Sequence, residues 1–445
     1  MKKIFVLILF IVGYNHTVAQ TYTLEQLIDS ALYHNIHIRS ARHNMEAAHQ
    51  QRKEAFTKYF PDISSTGLWF NANKGMAELS INPSEVIPPS LGQSLSQMMP
   101  PEELAMLGTP INLSVLQRGI VAGVSAVQPI FAGGQIVNGN KLAKIGEDVS
   151  RLQLQQSENI VEKQVEEYFW QLVTLTEKIK TTEAIQTMLN SIHKDVTVAV
   201  DAGVAMRNDL LQVQLRQNEM ESLMLKLLNN LNIVKLTLSQ YCGLCDTSFV
   251  LSYHAETLPE TTMKEDHDQA LSQTVEYKLL DKQVKVANLQ TKMAVGQNLP
   301  TIAIGAGYNY HNLLGYNHTF GMVFATVSVP ISGWWGGSHA IKRRKIEQQK
   351  AIDQMENHSE QLKIKMQKAW NEVNESYQQL KIAYRSIEQA EENLRINRDH
   401  YKAGTLKISD LLEAQLLYQQ ACDKRADAFA NYQNKQLEYR QSLGQ

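Results

Sequence analysis

Cys242-Gly243-Leu244-Cys245 has the spacing of a redox dithiol or of half a zinc site. A zinc site of that kind needs a second Cys-x-x-Cys or a pair of histidines, and the neighbouring sequence supplies neither. In an exported chain the two thiols read equally well as a local disulfide or as free groups, and Cys422 stands alone in helical sequence. His34, His37, His43 and His49 share one predicted helix at spacings of three and six, without a carboxylate or cysteine beside them in a ligand pattern. They read as surface residues. No nucleophile–base pair, phosphate-binding loop or metal cluster appears, so the sequence points away from an enzyme and calls for no cofactor and no metal. The acidic residues that stand out are Asp209 and Asp410, which fall where helices begin and a carboxylate is favourable.

Those two aspartates belong to one phrase written twice. Residues 202–215 read AGVAMRNDLLQVQL and residues 403–416 read AGTLKISDLLEAQL, 201 residues apart with seven of fourteen positions identical. Each copy follows one long helical pattern and opens another. Gly203 and Gly404 therefore sit where two helices meet, with Asn208 or Ser409 available to cap the next helix. The same offset relates Pro129 to Pro330 and Gly243 to Gly444, whereas Pro61 relates to Pro300 at an offset of 239. The chain is duplicated, with an insertion of about 38 residues in its first half.

The N-terminal MKKIFVLILFIVGYNHTVAQ combines two lysines, a short apolar run and a small-x-small site at Thr17-Val18-Ala19, so residues 1–19 are predicted to be a secretory signal peptide. No cysteine follows the run, so no lipid anchor is indicated at the mature N-terminus. A formal net charge of −2 leaves no basic footprint for nucleic acid. After the signal no apolar run approaches the roughly 20 residues of a membrane helix. If the protein crosses a membrane, it crosses as strands.

Thr23 and Gln26 resemble a capping box for a polar helix over 23–58 that Pro61 terminates. Beyond it the period changes from 3.6 to 2. Strands are predicted at about 61–71, 119–130, 301–311 and 321–331, with Ile302, Ile304, Ala306, Tyr308 and Tyr310 forming one apolar face. Residues 72–118, rich in Pro, Ser and Met, read as a long loop; their counterpart, 312–319, is short. Four strands cannot close a membrane barrel, which needs about eight or more, so strands would have to be pooled: eight from two chains or twelve from three. A pair of β-hairpins packed on helices in a soluble protein is the alternative.

From about 134 to 200 and from about 337 to 402 no proline interrupts the chain, and a helix of some 66 residues spans about 100 Å. Val373, Leu380, Ile387 and Leu394 recur every seven residues, alongside Ala369, Ser376, Ala383 and Ala390. In the first repeat the seam reads Leu175, Thr182, Leu189 and Val196 beside Leu172 and Ile179. Shorter helices return over about 208–240 and 409–441, 246–268 link the repeats at mid-rod, and 269–297 climb toward Pro300. The expected plan is a rod with strands at one end and the AG…D turns at the other. Narrowly apolar helices of this length need neighbours on both sides, as in a helical tube.

This plan, with YFPDI (59–63), QPIFAGG (128–134), VPISGWWGG (329–337) and both AG…DLL turns, resembles the TolC-like outer membrane efflux proteins over nearly all of the mature chain. The resemblance implies a mainly α fold with a membrane β part, from a first repeat over 20–245 (tip turn about 201–209) and a second over 269–445 (tip turn about 402–410). It implies a homotrimer whose twelve-stranded barrel sits in outer-membrane lipid of a Gram-negative cell, continuous with a helical tunnel through the periplasm. Its partners would be a periplasmic adaptor and an inner-membrane transporter, and its function that of an exit duct in efflux or type I secretion. By the same resemblance Asp410 and Glu413 fall at acidic positions of the tunnel constriction, Tyr401 at a tyrosine that holds the closed state, and Asp209 at the acidic residue of the first turn. Gly203, Val204, Gly404 and Thr405 would form the adaptor-facing turns. Leu406 departs from members with a basic residue there, so no salt bridge carries over. An exported coiled-coil scaffold without a pore is the alternative.

Overall fold

The computed structural model describes residues 20–100, 109–115, 117–254, 257–313 and 316–445; the predicted signal peptide lies outside them. Along the chain run β1 (Thr21–Tyr22), α1 (Leu24–His34), α2 (Ile36–Thr57), β2 (Asp62–Asn71), β3 (Ala77–Ile81), α3 (Pro83–Val86), α4 (Pro89–Met98), β4 (Ile111–Val115) and β5 (Arg118–Ala132). Then come α5 (Gln135–Asp201), α6 (Arg207–Cys242), β6 (Val250–Leu251), α7 (His267–Leu271), α8 (Val275–Gly296), β7 (Thr301–Asn312), β8 (His318–Ser328), α9 (Gly333–Lys402) and α10 (Ile408–Ser442). Among the described residues no helix is long and apolar enough to cross a membrane.

Two compact units share these elements, and each takes chain from both repeats. The first comprises the chain up to Gln50, Ile145–Lys285 and Gln349–Gln445. Its core gathers Phe169 and Trp170 of α5, Leu238 and Cys242 of α6, Val373 and Leu380 of α9, and Phe429, Tyr432 and Tyr439 of α10. The Trp170 and Phe429 rings meet edge to face at 5.5 Å. Polar atoms carried into this core find partners: the Tyr432 hydroxyl donates to the Glu260 carbonyl at 2.8 Å, and the Tyr439 hydroxyl accepts the Glu265 amide at 3.0 Å. The 246–268 linker is thereby strapped to α10. It also contributes β6, which pairs in parallel with β1.

The second unit, Gln51–Lys144 with Val286–Gln348, carries a four-stranded antiparallel sheet in the order β2-β5-β7-β8. Pro129 lacks an amide for the ladder and marks a register shift between Pro129 and Phe131, after which β5 pairs on to Ala132. The fourth strand departs from expectation. It starts at His318 and ends at Ser328, before Pro330, because its ladder partner β7 runs only from Thr301, opposite Ser328, to the pairing of His311 with His318.

Three further expectations are corrected. The 72–118 stretch, read as a long loop, contains α3, α4 and an antiparallel pairing of β3 with β4; 101–108 and 116 lie outside the described residues, as do 314–315 of the short connection. The helix expected over 23–58 does carry the capping box, with Thr23 Oγ1 accepting the Gln26 amide at 3.3 Å and Gln26 Oε1 accepting the Thr23 amide at 3.0 Å. It breaks at Asn35, whose Nδ2 donates to the Tyr241 carbonyl and whose Oδ1 accepts the His37 amide. The helix expected over 269–297 is likewise broken, between the end of α7 at Leu271 and the start of α8 at Val275, after buried Thr274, whose Oγ1 accepts the Tyr277 amide.

Candidate functional site: the paired turns and the open sheet

The duplicated phrase produces the same turn twice. Gly203 and Gly404 both have φ of 72°. In the first turn the Gly203 amide donates to Val200 O at 3.0 Å and the Val204 amide to Ala199 O at 2.8 Å; in the second, Gly404 donates to Tyr401 O at 2.9 Å and Thr405 to His400 O at 3.0 Å. This is the Schellman arrangement, which needs a left-handed residue at the glycine and uses up the last carbonyls of α5 and α9. Gly203, Val204, Gly404 and Thr405 all face solvent, Val204 at 83% exposure.

The caps of the helices that follow each lie two residues earlier than expected. Met206 and Lys407 hold the cap positions, and neither offers a capping side chain. Asn208 and Ser409 lie in the first turn instead. The two aspartates then diverge. Asp209 reaches back, and its Oδ2 accepts the Met206 amide at 3.0 Å, closing half a capping box. Asp410 makes no such bond; its Oδ1 accepts the Ser409 hydroxyl at 3.0 Å, and it is exposed, as is Glu413 one helical turn on.

Beneath the turns Ile192, Val196, Val213, Ile408 and Leu411 form one apolar cluster that draws on both repeats, with Leu210, Leu394 and Tyr401 against it. Burial raises the Tyr401 phenol above its ordinary value, and the carboxylates of Asp209 and Asp195 add to the effect, so the ring stays neutral at physiological pH. Tyr401 and Asp209 are thus brought into one electrostatic neighbourhood from opposite repeats, while Asp410 and Glu413 remain on the solvent side. A polar layer that sequence reasoning missed lies next along the bundle. Arg216 Nε donates to Gln415 Oε1 at 3.0 Å and its NH2 to Gln419 Oε1 at 2.8 Å, with both glutamines buried. The identity of Gln214 and Gln415 between the repeats was the available clue, since an amide kept at a core position has a polar partner.

Cys242, Cys245 and Cys422 are free thiols, and burial pushes the Cys242 thiol up to about 12, which leaves it inert as a nucleophile. His49 is engaged by Glu147 at 2.9 Å and His34 by the Ser30 carbonyl at 3.1 Å. Among the described residues no three or more His, Cys, Asp or Glu side chains gather in a metal-holding group.

The sheet is two-faced. The register puts Ile63 and Trp69 of β2, Ile120 and Val124 of β5, Ile302, Ile304 and Tyr308 of β7, and Val323 and Val327 of β8 on one side. All of them are exposed, Val323 at 85% and Trp69 at 71%. The opposite side carries Ser64, Thr66, Gly123, Ser125, Gly307 and Asn309, with Ser64 Oγ and Ser125 Oγ 3.3 Å apart and the Phe324 ring lying on Gly305. Neither β2 nor β8 has a partner on its outer edge among the described residues.

The chain is mostly helical with a small β part: a duplicated set of very long helices and an open, two-faced sheet with bare edges. Residues 268–445 match the family described as outer membrane efflux protein. The fold is shared with the outer membrane protein VceC from Vibrio cholerae at a TM-score of 0.72 and 14% identity, covering 95% of this chain and 96% of that one. It is shared with the CmeC outer membrane channel of Campylobacter jejuni at 0.75 and 16% identity, over 95% and 85% of the two chains. The MtrE outer membrane channel of Neisseria gonorrhoeae, solved in its open state, matches at 0.72 and 14% identity over 95% and 88%. At such identities the likeness speaks to the fold alone. No curated protein sequence matches the chain.

Proposed function

We propose that this chain is one third of an outer-membrane exit duct that passively conducts substrates received from an inner-membrane transporter and a periplasmic adaptor. The observation that carries the reading is the four-stranded sheet, with its exposed apolar face and its unpaired edges. An open sheet edge cannot face lipid, where each unsatisfied backbone group costs several kcal/mol. Three copies of four strands close the edges into a twelve-stranded barrel, which turns the apolar side to lipid and the Ser, Thr, Gly and Asn side to the lumen. The long helices form the wall of the periplasmic tunnel.

In this duct Asp410 and Glu413 of three copies ring the constriction. Like charges brought together attract cations and raise one another's pKa. Tyr401 and Asp209 hold the closed arrangement from within, and the exposed Gly203–Val204 and Gly404–Thr405 turns meet the adaptor. Single-channel conductance in planar bilayers tests both levels. The wild type should give a small cation-selective current blocked by divalent cations, and Asp410→Asn with Glu413→Gln should relieve the block. A conducting wild type indifferent to the substitutions removes the gate and keeps the duct. A protein that neither inserts nor conducts is instead an exported helical scaffold.

A further inference from the structure

On the sheet face opposite the exposed apolar one, two histidines stand directly across the β7–β8 ladder. His311 pairs with His318 in register, and their ring centres lie 5.2 Å apart with an interplanar angle of 45°. Directly opposed residues of an antiparallel pair project to the same side with Cβ atoms about 4.5–5.5 Å apart, close enough for two imidazoles to share a ligand. The hairpin end is pinned beside them. Asn317 Oδ1 accepts both the Tyr310 hydroxyl at 2.9 Å and Asn312 Nδ2 at 2.8 Å, which fixes the backbone that leads into His318. The Phe320 ring stacks on His318 at 6.0 Å and lies 6.1 Å from His311, walling the pair on one side. Nδ1 of His311 is buried without any hydrogen-bond partner. A buried ring nitrogen with nothing to bond is unfavourable, and a bound ligand would satisfy it.

We propose that His311 and His318 form a two-histidine site for a divalent transition-metal ion, of the zinc, copper or nickel kind that imidazole suits. The spacing fits this chemistry. A metal–nitrogen bond of about 2.0–2.1 Å puts the ion about 3.2 Å from each ring centre, and a tetrahedral angle then separates the centres by about 5.2 Å. No third His, Cys, Asp or Glu completes the set among the described residues, so the remaining positions go to water. Such a site is open and exchangeable. It stands on the hairpin alone and does not depend on the channel reading.

Zinc titration of the full chain in detergent, followed by calorimetry, tests the site against the background of the other histidines, of which the chain has 13 in all. The wild type should bind one more equivalent of Zn²⁺ per chain than the His311→Gln/His318→Gln double variant, and either single substitution should weaken that equivalent at least tenfold. His318→Phe keeps an aromatic ring beside His311 and Phe320 and should lose the metal while the hairpin stays folded. Electron paramagnetic resonance of Cu²⁺ bound to the unaltered protein gives a readout that needs no variant: two imidazole nitrogens on one copper are expected. Identical isotherms for wild type and double variant, or a copper spectrum without paired nitrogens, would overturn the assignment and leave the pair as aromatic packing.

Discussion

Helices α5 and α9 are one element written twice, yet the chain covers them differently. Along α5 the seam of Leu172, Leu175, Ile179, Thr182, Leu189 and Val196 is buried without a break. Along α9 the matching seam is covered at Val373, Ser376, Leu380 and Ala383, but Ile387 and Leu394 are only half-buried; off the seam both helices expose apolar side chains, Ile160 and Val198 on α5 at 60% and 68%, Ile364 and Ile382 on α9 at 68% and 47%. Duplication gives both helices similar patterns; what differs is which neighbours one chain can supply. The apolar residues left uncovered on α9 teach the same lesson as the bare edges of the sheet. In the proposed duct each is a surface whose partner lies on another copy.

Substitutions on the two seams should separate these roles. Leu189→Ala removes a fully buried side chain and should cost about 2–5 kcal/mol, read as a lower midpoint in urea unfolding. Ile382→Glu touches an exposed position and should leave the unfolding of a single chain within about 0.5 kcal/mol while reducing cross-linked trimer. Equal losses of stability at both sites would break the comparison. On the sheet, Val323→Arg sets a charge on the apolar face and should cost about 2–4 kcal/mol per chain if that face meets lipid, read as lost recovery in the outer-membrane fraction.

A third contrast lies inside α5 itself. Glu166 is 3% exposed in an otherwise apolar core, with Trp170 Nε1 donating to its Oε1 at 3.0 Å. Burial raises its carboxyl above the usual range, more than the Trp170 bond and the Arg440 charge lower it. A carboxyl raised on folding stabilises fully below its unfolded value, and that contribution is lost as pH climbs through the folded one. Glu166→Gln keeps an acceptor for Trp170 and removes the charge. It should stabilise the protein at neutral pH and leave it unchanged near pH 4, checked by paired thermal melts. A constant gain at both pH values would mean that the charge is not what burial penalises.

Much of this architecture is legible from periodicity, because helices of 67 and 70 residues leave a pattern no local accident can imitate. The glycines of the turns are legible too, since the left-handed conformation at φ of 72° admits few other residues. What escapes is set by short or distant partners. The strands AELSI and INLSV are five residues long, too brief for a period to show, so their pairing passes for loop. The break at Asn35 depends on a carbonyl 206 residues away, and the polar layer at Arg216 on glutamines 199 and 203 residues away. Sequence also treats Asp209 and Asp410 as equivalents, because nothing in the duplicated phrase says which of them turns back to its helix.

That last pair gives the smallest expected effect and the sharpest comparison. Asp209 holds the Met206 amide, so Asp209→Ala should cost about 0.5–2 kcal/mol of stability, the ordinary loss of a helix-capping side chain. Asp410 is exposed and bonds only to the neighbouring Ser409 hydroxyl, so Asp410→Ala should change stability by no more than about 0.5 kcal/mol. Its effect should fall on ion passage, because a carboxylate that contributes little to its own fold is free to act on what goes by. Measuring both variants by thermal unfolding and by conductance assigns each aspartate its work. If Asp410→Ala destabilises as much as Asp209→Ala and leaves selectivity unchanged, both residues serve their helices, and the acidic constriction must be sought at Glu413.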